Sequence, residues 1–190
     1  MGCSDQSRGS SDGRRTTLTF TLNGERVELE DVEYSQTLLE VLRDFLDLFG
    51  VKASCEVQVC GACTVLVDGA PVSSCCTLAA DVDGHRVTTV EGLATEAGLH
   101  PVQQAFVDNF AVQCGYCIPG MVMSAVAFVA EESGEADLHT RKERLREFMN
   151  GNYCRCTGYE PILRAITSGL DRPSGNGAKA PAAWSREETS

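Results

Sequence analysis

The stretch from Cys55 to Cys63 reads CEVQVCGAC and carries three cysteines at the spacing C-x4-C-x2-C. Glycine and alanine separate the last two cysteines, so the backbone there can curl tightly around a compact inorganic core. Three thiolates on one such loop are typical of a plant-type [2Fe–2S] site. The stretch therefore predicts an iron–sulfur loop, around which the first part of the chain is organised.

A site of this type needs a fourth thiolate, and Cys75 and Cys76 are the two candidates. We predict a strand over 72–76, in which neighbouring side chains point to opposite faces, so only one of the two can be a ligand. If Val72 is a core residue, Cys76 shares its face as a buried apolar thiol and Cys75 is the ligand. Zinc is the alternative, but zinc sites usually pair two short knuckles, so the spacing here favours a two-iron cluster.

The residues on both sides of this loop predict a small sheet crossed by one helix. Leu18, Phe20 and Leu22 alternate before a hairpin turn at Asn23-Gly24. Apolar residues at helical spacing predict a helix over 37–49, which Gly50 would end. Further strands are expected at 64–67, 72–76 and 86–90. This order of elements suits a β-grasp fold.

A second cysteine set lies at Cys114 and Cys117 (CGYC) and at Cys154 and Cys156 (CRC). On spacing alone, zinc is a fair competitor for two short knuckles. Both knuckles are predicted at helix N-termini, where backbone N–H groups and the helix dipole stabilise a negatively charged cluster. Nearby glycines that would let the backbone approach the sulfurs are Gly115, Gly120, Gly151 and Gly158. These surroundings favour a second iron–sulfur cluster.

The segments around this second set predict four short helices, at 101–110, 119–132, 138–149 and 161–170. The fold class is therefore α+β: an N-terminal β-grasp plant-type ferredoxin domain followed by a C-terminal four-helix bundle domain. We expect a disordered arm at 1–15, the ferredoxin-type domain at 16–92, the helical [2Fe–2S]-binding domain at 93–170 and a flexible tail at 171–190, whose Trp184 is a possible anchor.

Charge and cysteine usage limit the partners and the compartment. The net charge of −11 makes nucleic acid an improbable partner. Ten cysteines among 190 residues fall below the density of secreted disulfide scaffolds, and no N-terminal apolar stretch resembles a signal peptide. No stretch reads as a transmembrane segment either. We therefore expect a cytoplasmic protein whose thiols are reduced metal ligands.

Three motifs, VCGACTVLVDGAPVSSC, QCGYCIPGMVMSA and GNYCRCTGYEPIL, resemble the iron–sulfur subunits of the molybdenum hydroxylases. That family includes xanthine dehydrogenase, aldehyde oxidase, carbon monoxide dehydrogenase and nicotinate dehydrogenase. The resemblance covers residues 16–170 and includes eight cysteines in order. It implies a β-grasp domain whose cluster faces a flavin subunit and a helical domain whose cluster lies beside molybdopterin.

The resemblance also implies roles for individual residues. It assigns one cluster to Cys55, Cys60, Cys63 and Cys75, and the other to Cys114, Cys117, Cys154 and Cys156. Gln113 and Cys156 match positions that approach the pterin. Three residues depart from the family pattern: Ser54 and Gln58 stand where glycine is common, and Cys76 stands where leucine is usual. Gln58 could strain the loop or change the exposure of the cluster, which leaves the potential of this site open.

The implied function is electron transfer within a hetero-oligomer, for which a dimer of heterotrimers is one arrangement. A large subunit would hold molybdopterin and a medium subunit FAD, and the chain would carry electrons between them through two [2Fe–2S] clusters. The chain itself is expected to hold no catalytic residue, since His85, His100 and His139 are scattered without a nucleophile nearby. The alternative is a zinc-binding or single-cluster redox-sensing protein. Two ferric clusters make a protein red-brown, whereas zinc leaves it colourless.

Overall fold

The first half of the chain forms a five-stranded sheet in the computed structural model, which describes residues 14–132 and 137–170. The strand order is β2-β1-β5-β3-β4; β1 and β5 are parallel and the other neighbours antiparallel. The strands are β1 (Arg15–Leu22), β2 (Glu25–Glu33), β3 (Thr64–Val67), β4 (Ala70–Ser73) and β5 (Arg86–Thr88). This mixed sheet confirms the five predicted strands and is consistent with a ferredoxin-like fold.

The predicted hairpin is present in β1 and β2. Asn23 and Gly24 have φ angles of 51° and 90°, the left-handed backbone that a tight hairpin turn of this type needs. Leu18, Phe20 and Leu22 point together into the core and are at most 8% exposed. The strand begins one residue before the expected boundary, because the guanidinium of Arg15 binds carboxylates on β2.

The helix that crosses the sheet is shorter than the predicted range 37–49. It begins with α1 (Leu38–Glu40), capped by Thr37, and continues as a π-helical turn over Val41–Phe45. Asp47 then adopts a left-handed φ of 54°, and the Leu48 N–H turns back to the carbonyl of Leu42 at 2.9 Å. Phe45 and Phe49, two of the apolar residues at helical spacing in this range, are exposed.

The return strand ends earlier than predicted, and this corrects the interpretation of Cys76. After β4, Ser74–Cys76 forms a 3₁₀ turn. The buried hydroxyl of Ser74 donates to the carbonyl of Cys63 at 2.8 Å and holds this turn against the cysteine loop. Cys75 is buried at 6% exposure and Cys76 is exposed, so the prediction of Cys76 as a buried apolar thiol is wrong.

Four helices follow the sheet, each close to its predicted range: α2 (Pro101–Asp108), α3 (Ile118–Glu131), α4 (Leu138–Phe148) and α5 (Glu160–Leu170). They share a core that includes Phe106, Met121, Met123, Ile162 and Ile166. Leu66 of β3 also joins this core, because α3 lies against β3. Val65, its neighbour on β3, points into a second core on the other side of the sheet.

Two predictions concern residues outside the described ranges. The expected arm, apart from its last two residues, and the expected tail with Trp184 both lie there. Within 14–132 and 137–170, no helix combines the length and the apolar character needed to cross a bilayer.

Candidate metal centres

The first cysteine loop, residues 55–63, is curled by backbone in the left-handed region. The positions concerned are Glu56 (φ 56°), Gln58 (58°) and Gly61 (67°). The N–H groups of Val59 and Cys60 each donate to Cys55 Sγ at 3.4 Å. The N–H of Val57, followed by those of Val59 and Cys60, lowers the pKa of the Cys55 thiol to about 6. The loop is therefore built to hold a thiolate at Cys55.

The four cysteines of the first group meet as two pairs. The thiol of Cys55 contacts that of Cys60, and the thiol of Cys63 contacts that of Cys75. Burial raises the pKa of Cys63 to about 11 and also raises the pKa of Cys75. These two buried thiols need a nearby positive charge, such as a bound metal, in order to ionise at neutral pH.

Gln58 and Ser54, the two residues in and beside this loop that depart from the family's glycines, differ in their backbone conformation. Gln58 occupies the left-handed region that glycine adopts without cost, so the strain expected at this position is present. Its N–H donates to the sulfur of Cys75, so the unusual backbone places a donor in the first group. Ser54 lies outside the left-handed region, so glycine is not required there.

The second group also consists of two thiol pairs. Cys117 contacts Cys154, and Cys114 contacts Cys156. Burial raises the pKa of Cys117 to about 12. Burial opposes ionisation of Cys154, but hydrogen bonds from the hydroxyl and N–H of Thr157, at 3.1 and 3.4 Å from its sulfur, together with those from the Cys156 N–H and the Cys117 thiol, lower its pKa. The donor at Thr157 therefore favours the thiolate form of Cys154.

The prediction that both pairs of closely spaced cysteines lie at helix N-termini is correct only for the pair Cys114 and Cys117. Cys117 is the N-cap of α3. Cys154 and Cys156 precede α5, but three residues with non-helical backbone, 157–159, separate Cys156 from Glu160. The helix dipole can therefore act on Cys117, while Thr157 supplies hydrogen bonds to its partner Cys154.

Gln113 and Cys156, the two residues expected near a pterin, lie on the exposed side of the second group. Gln113 directly precedes Cys114, whose thiol contacts Cys156. Exposed apolar side chains continue this surface, with Phe110 at 87% and Val112 at 43% exposure. This side of the second group is thus open to a neighbouring molecule.

The two cysteine groups are joined directly by a set of hydrogen bonds, which we call the inter-site contact. The Tyr153 N–H donates to the carbonyl of Cys60 at 2.8 Å. The buried amide of Asn152 donates to the carbonyl of Gly61 at 3.1 Å. The hydroxyl of Tyr116 donates to the carbonyl of Ala53. Residues close to two proposed ligands of the second group, Cys117 and Cys154, thereby contact the first loop or the segment just before it.

Sequence reasoning missed Asn152 and Tyr159, which organise the second group without being ligands. The Tyr159 hydroxyl accepts the N–H of Cys154 at 2.9 Å and donates to the carbonyl of Asn152 at 3.1 Å. Both residues flank the CRC motif, and their closeness to it was the available signal. Their partners are set by the fold, however, and cannot be read from spacing.

Replacing Tyr159 by phenylalanine should cost about 1 kcal/mol, because the hydroxyl that satisfies two backbone groups is lost. For a chain of this size, that corresponds to a fall of about 2–4 °C in the melting temperature. Thermal unfolding of the purified protein measures it. Tyr153→Phe is the matched control, since that side chain is 65% exposed and only its backbone serves the inter-site contact. Equal melting temperatures for the two variants would contradict the role of Tyr159.

The chain combines a mixed sheet that carries one cysteine loop with helices that carry a second cysteine group. This combination defines an iron–sulfur protein of the ferredoxin-like class. Comparison with known proteins agrees. A family model described as a 2Fe-2S iron-sulfur cluster binding domain matches residues 20–94, and one described as a [2Fe-2S] binding domain matches residues 89–167.

Individual relatives show which kind of iron–sulfur protein the chain resembles. Caffeine dehydrogenase subunit gamma of Pseudomonas sp. (strain CBB1) is 42% identical over 154 residues, 80% of this chain and 89% of that one. The nicotine 6-hydroxylase small subunit of Paenarthrobacter nicotinovorans is 43% identical over 165 residues, 87% of this chain and 94% of that one. In the crystal structure of quinoline 2-oxidoreductase from Pseudomonas putida 86, a 40% identical chain is similar with a TM-score of 0.75, covering 83% of this chain and 94% of that one.

The chain belongs to the iron–sulfur small subunits of the molybdenum hydroxylases. It is accordingly a subunit of a multi-subunit, molybdenum-dependent oxidoreductase. The resemblance drawn from its cysteine motifs is confirmed.

Proposed function

We propose that the chain binds two [2Fe–2S] clusters and relays electrons from molybdopterin in a large subunit to FAD in a medium subunit. The ligands of the first cluster are Cys55, Cys60, Cys63 and Cys75; those of the second are Cys114, Cys117, Cys154 and Cys156. When bound, each cluster supplies a one-electron carrier. We also propose a ferredoxin-type domain at 16–92 and a helical domain, arranged as a four-helix bundle, at 93–170.

The donor sets support two-iron clusters rather than single zinc ions. A zinc site gathers four ligands at one point, whereas each group here is two thiol pairs, which matches two irons with two thiolates each. Backbone N–H donors at Cys55 and Cys154 also suit clusters, whose negative charge such donors stabilise.

The observation that carries the relay is the hydrogen bond between Tyr153 and Cys60 at 2.8 Å. It links the residue next to Cys154, a ligand of the second cluster, with Cys60, a ligand of the first. Electron tunnelling weakens steeply with distance and is helped by a continuous path of bonds. The ligand sulfurs of Cys60 and Cys154 are therefore linked by a through-bond path that crosses a single hydrogen bond, which suits transfer between the two sites.

The direction of the relay is proposed from the family resemblance, and the residues that each site exposes support it. Gln113, Cys114 and Cys156 face outward from the second site, which we assign to the molybdenum subunit. Val57 and Val59, at 64% and 59% exposure, lie on the first loop, which we assign to the flavin subunit. The whole complex is a hetero-oligomer, for which we propose a dimer of heterotrimers.

Stopped-flow absorbance on partial complexes tests this relay. A substrate is first found by screening N-heterocycles and aldehydes, the compound classes in the names of the relatives. When substrate is added to a complex of this chain with the molybdenum subunit alone, the iron–sulfur clusters should become reduced and their visible absorbance should fall. The chain with the flavin subunit alone should not respond. Reduction of the clusters by substrate without the molybdenum subunit would refute the proposed order.

In the assembled complex, Gln113→Ala should slow the reduction of the clusters by substrate at least several-fold while leaving their iron content unchanged. Gln113 precedes a ligand on the open side of the second site without being a ligand itself. Rapid-mixing absorbance gives the rate, and Gln104→Ala, on the surface of α2, is the control. An unchanged rate in Gln113→Ala would remove the pterin-facing role of this residue.

A further inference from the structure

Two neighbouring thiols lie side by side at the first site. In a strand, Cys75 and Cys76 would point to opposite faces. The 3₁₀ turn Ser74–Cys76 instead brings Cys75 Sγ and Cys76 Sγ to 3.8 Å from each other. Two thiolates bound to one tetrahedral metal, with metal–sulfur bonds of about 2.3 Å, are separated by about 3.8 Å. The second thiol is therefore at a distance that suits binding to the same metal.

The surroundings of the two thiols differ. Cys75 is buried, contacts the thiol of Cys63 and accepts the N–H of Gln58, so it is the resident member of the first group. Cys76 is exposed and opens into a cleft of about 430 Å³ between the first loop and the helical half. Gln58 and Asn152 line the same cleft. Cys76 thus has room to change rotamer, whereas Cys75 is enclosed.

We propose that Cys76 is a reserve ligand of the first site, able to hold the iron that Cys75 holds when Cys75 is lost or modified. This proposal rests on the function proposed above. In the exchange, the Cys76 thiol gives up its proton and forms an iron–sulfur bond, while the bond to Cys75 breaks and the Cys75 sulfur takes up a proton. The iron keeps its oxidation state, so no oxidant or reductant is consumed.

The exchange has a spectroscopic consequence. A cluster held by Cys76 lies closer to the open cleft and loses the Gln58 N–H that points at the Cys75 sulfur. Solvent exposure and hydrogen bonds to the sulfurs both set the potential and the electronic environment of such clusters. The EPR signal of the first site should therefore shift while its intensity remains.

Iron and sulfide content and EPR spectra of three variants test the proposal. Cys75→Ala should keep about four irons with a shifted first-site signal, and Cys76→Ala about four with unchanged signals. The double variant should fall to about two, because no thiol remains for that position. A Cys75→Ala protein with only about two irons would overturn the reserve role.

Two further measurements show whether each variant is folded and whether Cys76 binds the iron. The EPR signal of the second site should stay at full intensity in every variant and so reports that the chain is folded. Peptide mapping after iodoacetamide treatment should find Cys76 alkylated in the unaltered protein and protected in Cys75→Ala; alkylation in both would also overturn the proposal. If the unaltered protein lacks iron and sulfide, the proposed function fails instead, which separates the two failures.

Discussion

Replacing Gly120 by alanine should lower the free energy of unfolding by about 1–3 kcal/mol, the usual cost of forcing an extra methyl group into a packed site. Gly120 lies in the first turn of α3, against the first cysteine loop. A Cβ atom built there would lie 2.1 Å from the carbonyl oxygen of Gly61 and 3.0 Å from that of Ala62. Both contacts are with backbone, so no flexible side chain can move aside.

Gly151→Ala is the matched control, because a Cβ there meets no atom within 4 Å. Thermal unfolding of both variants, followed by the visible absorbance of the protein, compares them directly. The alanine at 120 should also loosen the inter-site contact, since it pushes α3 away from Gly61. Equal stability of the two variants would mean that α3 does not pack tightly against the loop.

Replacing Cys117 by alanine should remove the second cluster and lower the iron content from about four atoms per chain to about two. Cys117 contacts Cys154 and is the N-cap of α3, so its loss deprives one iron of a ligand at a buried position. The EPR signal of the first site should persist, because its four ligands are untouched. Metal analysis and low-temperature EPR measure both effects.

Cys76→Ala provides the control for losing a thiol at a position that is not a resident ligand, and it should keep about four irons. Retention of all iron in Cys117→Ala would show that this residue is not a ligand. Loss of both EPR signals would show instead that the two sites cannot be occupied independently.

Much of the fold was predictable because its signals are local. The alternation at Leu18, Phe20 and Leu22 and the turn at Asn23-Gly24 specify the first hairpin within a few residues. Regular apolar spacing likewise placed α2 to α5 within about two residues of their observed ends, and a proline marks the first turn of α2, α3 and α5.

The errors arose where a tertiary contact decides the local structure. The pattern over 37–49 is helical, but the left-handed backbone at Asp47 ends the helix early and turns Phe49 outward. In the same way, the bond from Ser74 to Cys63 replaces the end of a strand by a 3₁₀ turn, which exposes Cys76. Neither the left-handed backbone at Asp47 nor the hydrogen bond from Ser74 is visible in the periodicity of the sequence.

The same difference between local signals and tertiary contacts applies to the candidate sites. Cysteine spacing identified both groups, since ligand spacing is itself a local property. The inter-site contact could not be predicted, because Asn152 and Gly61 are 91 positions apart and meet only in the folded chain. The contact also explains why Gly61 and Gly120 are both glycines: a Cβ on either would collide with the other half of the molecule.

Iron, zinc and acid-labile sulfide analysis of the chain, purified without exposure to oxygen and combined with EPR of the reduced protein, tests the two-cluster account most directly. The predicted result is about four irons and four sulfides per chain, with two distinct signals that each integrate to about one spin. Stoichiometric zinc without sulfide, or about two irons with a single signal, would contradict it.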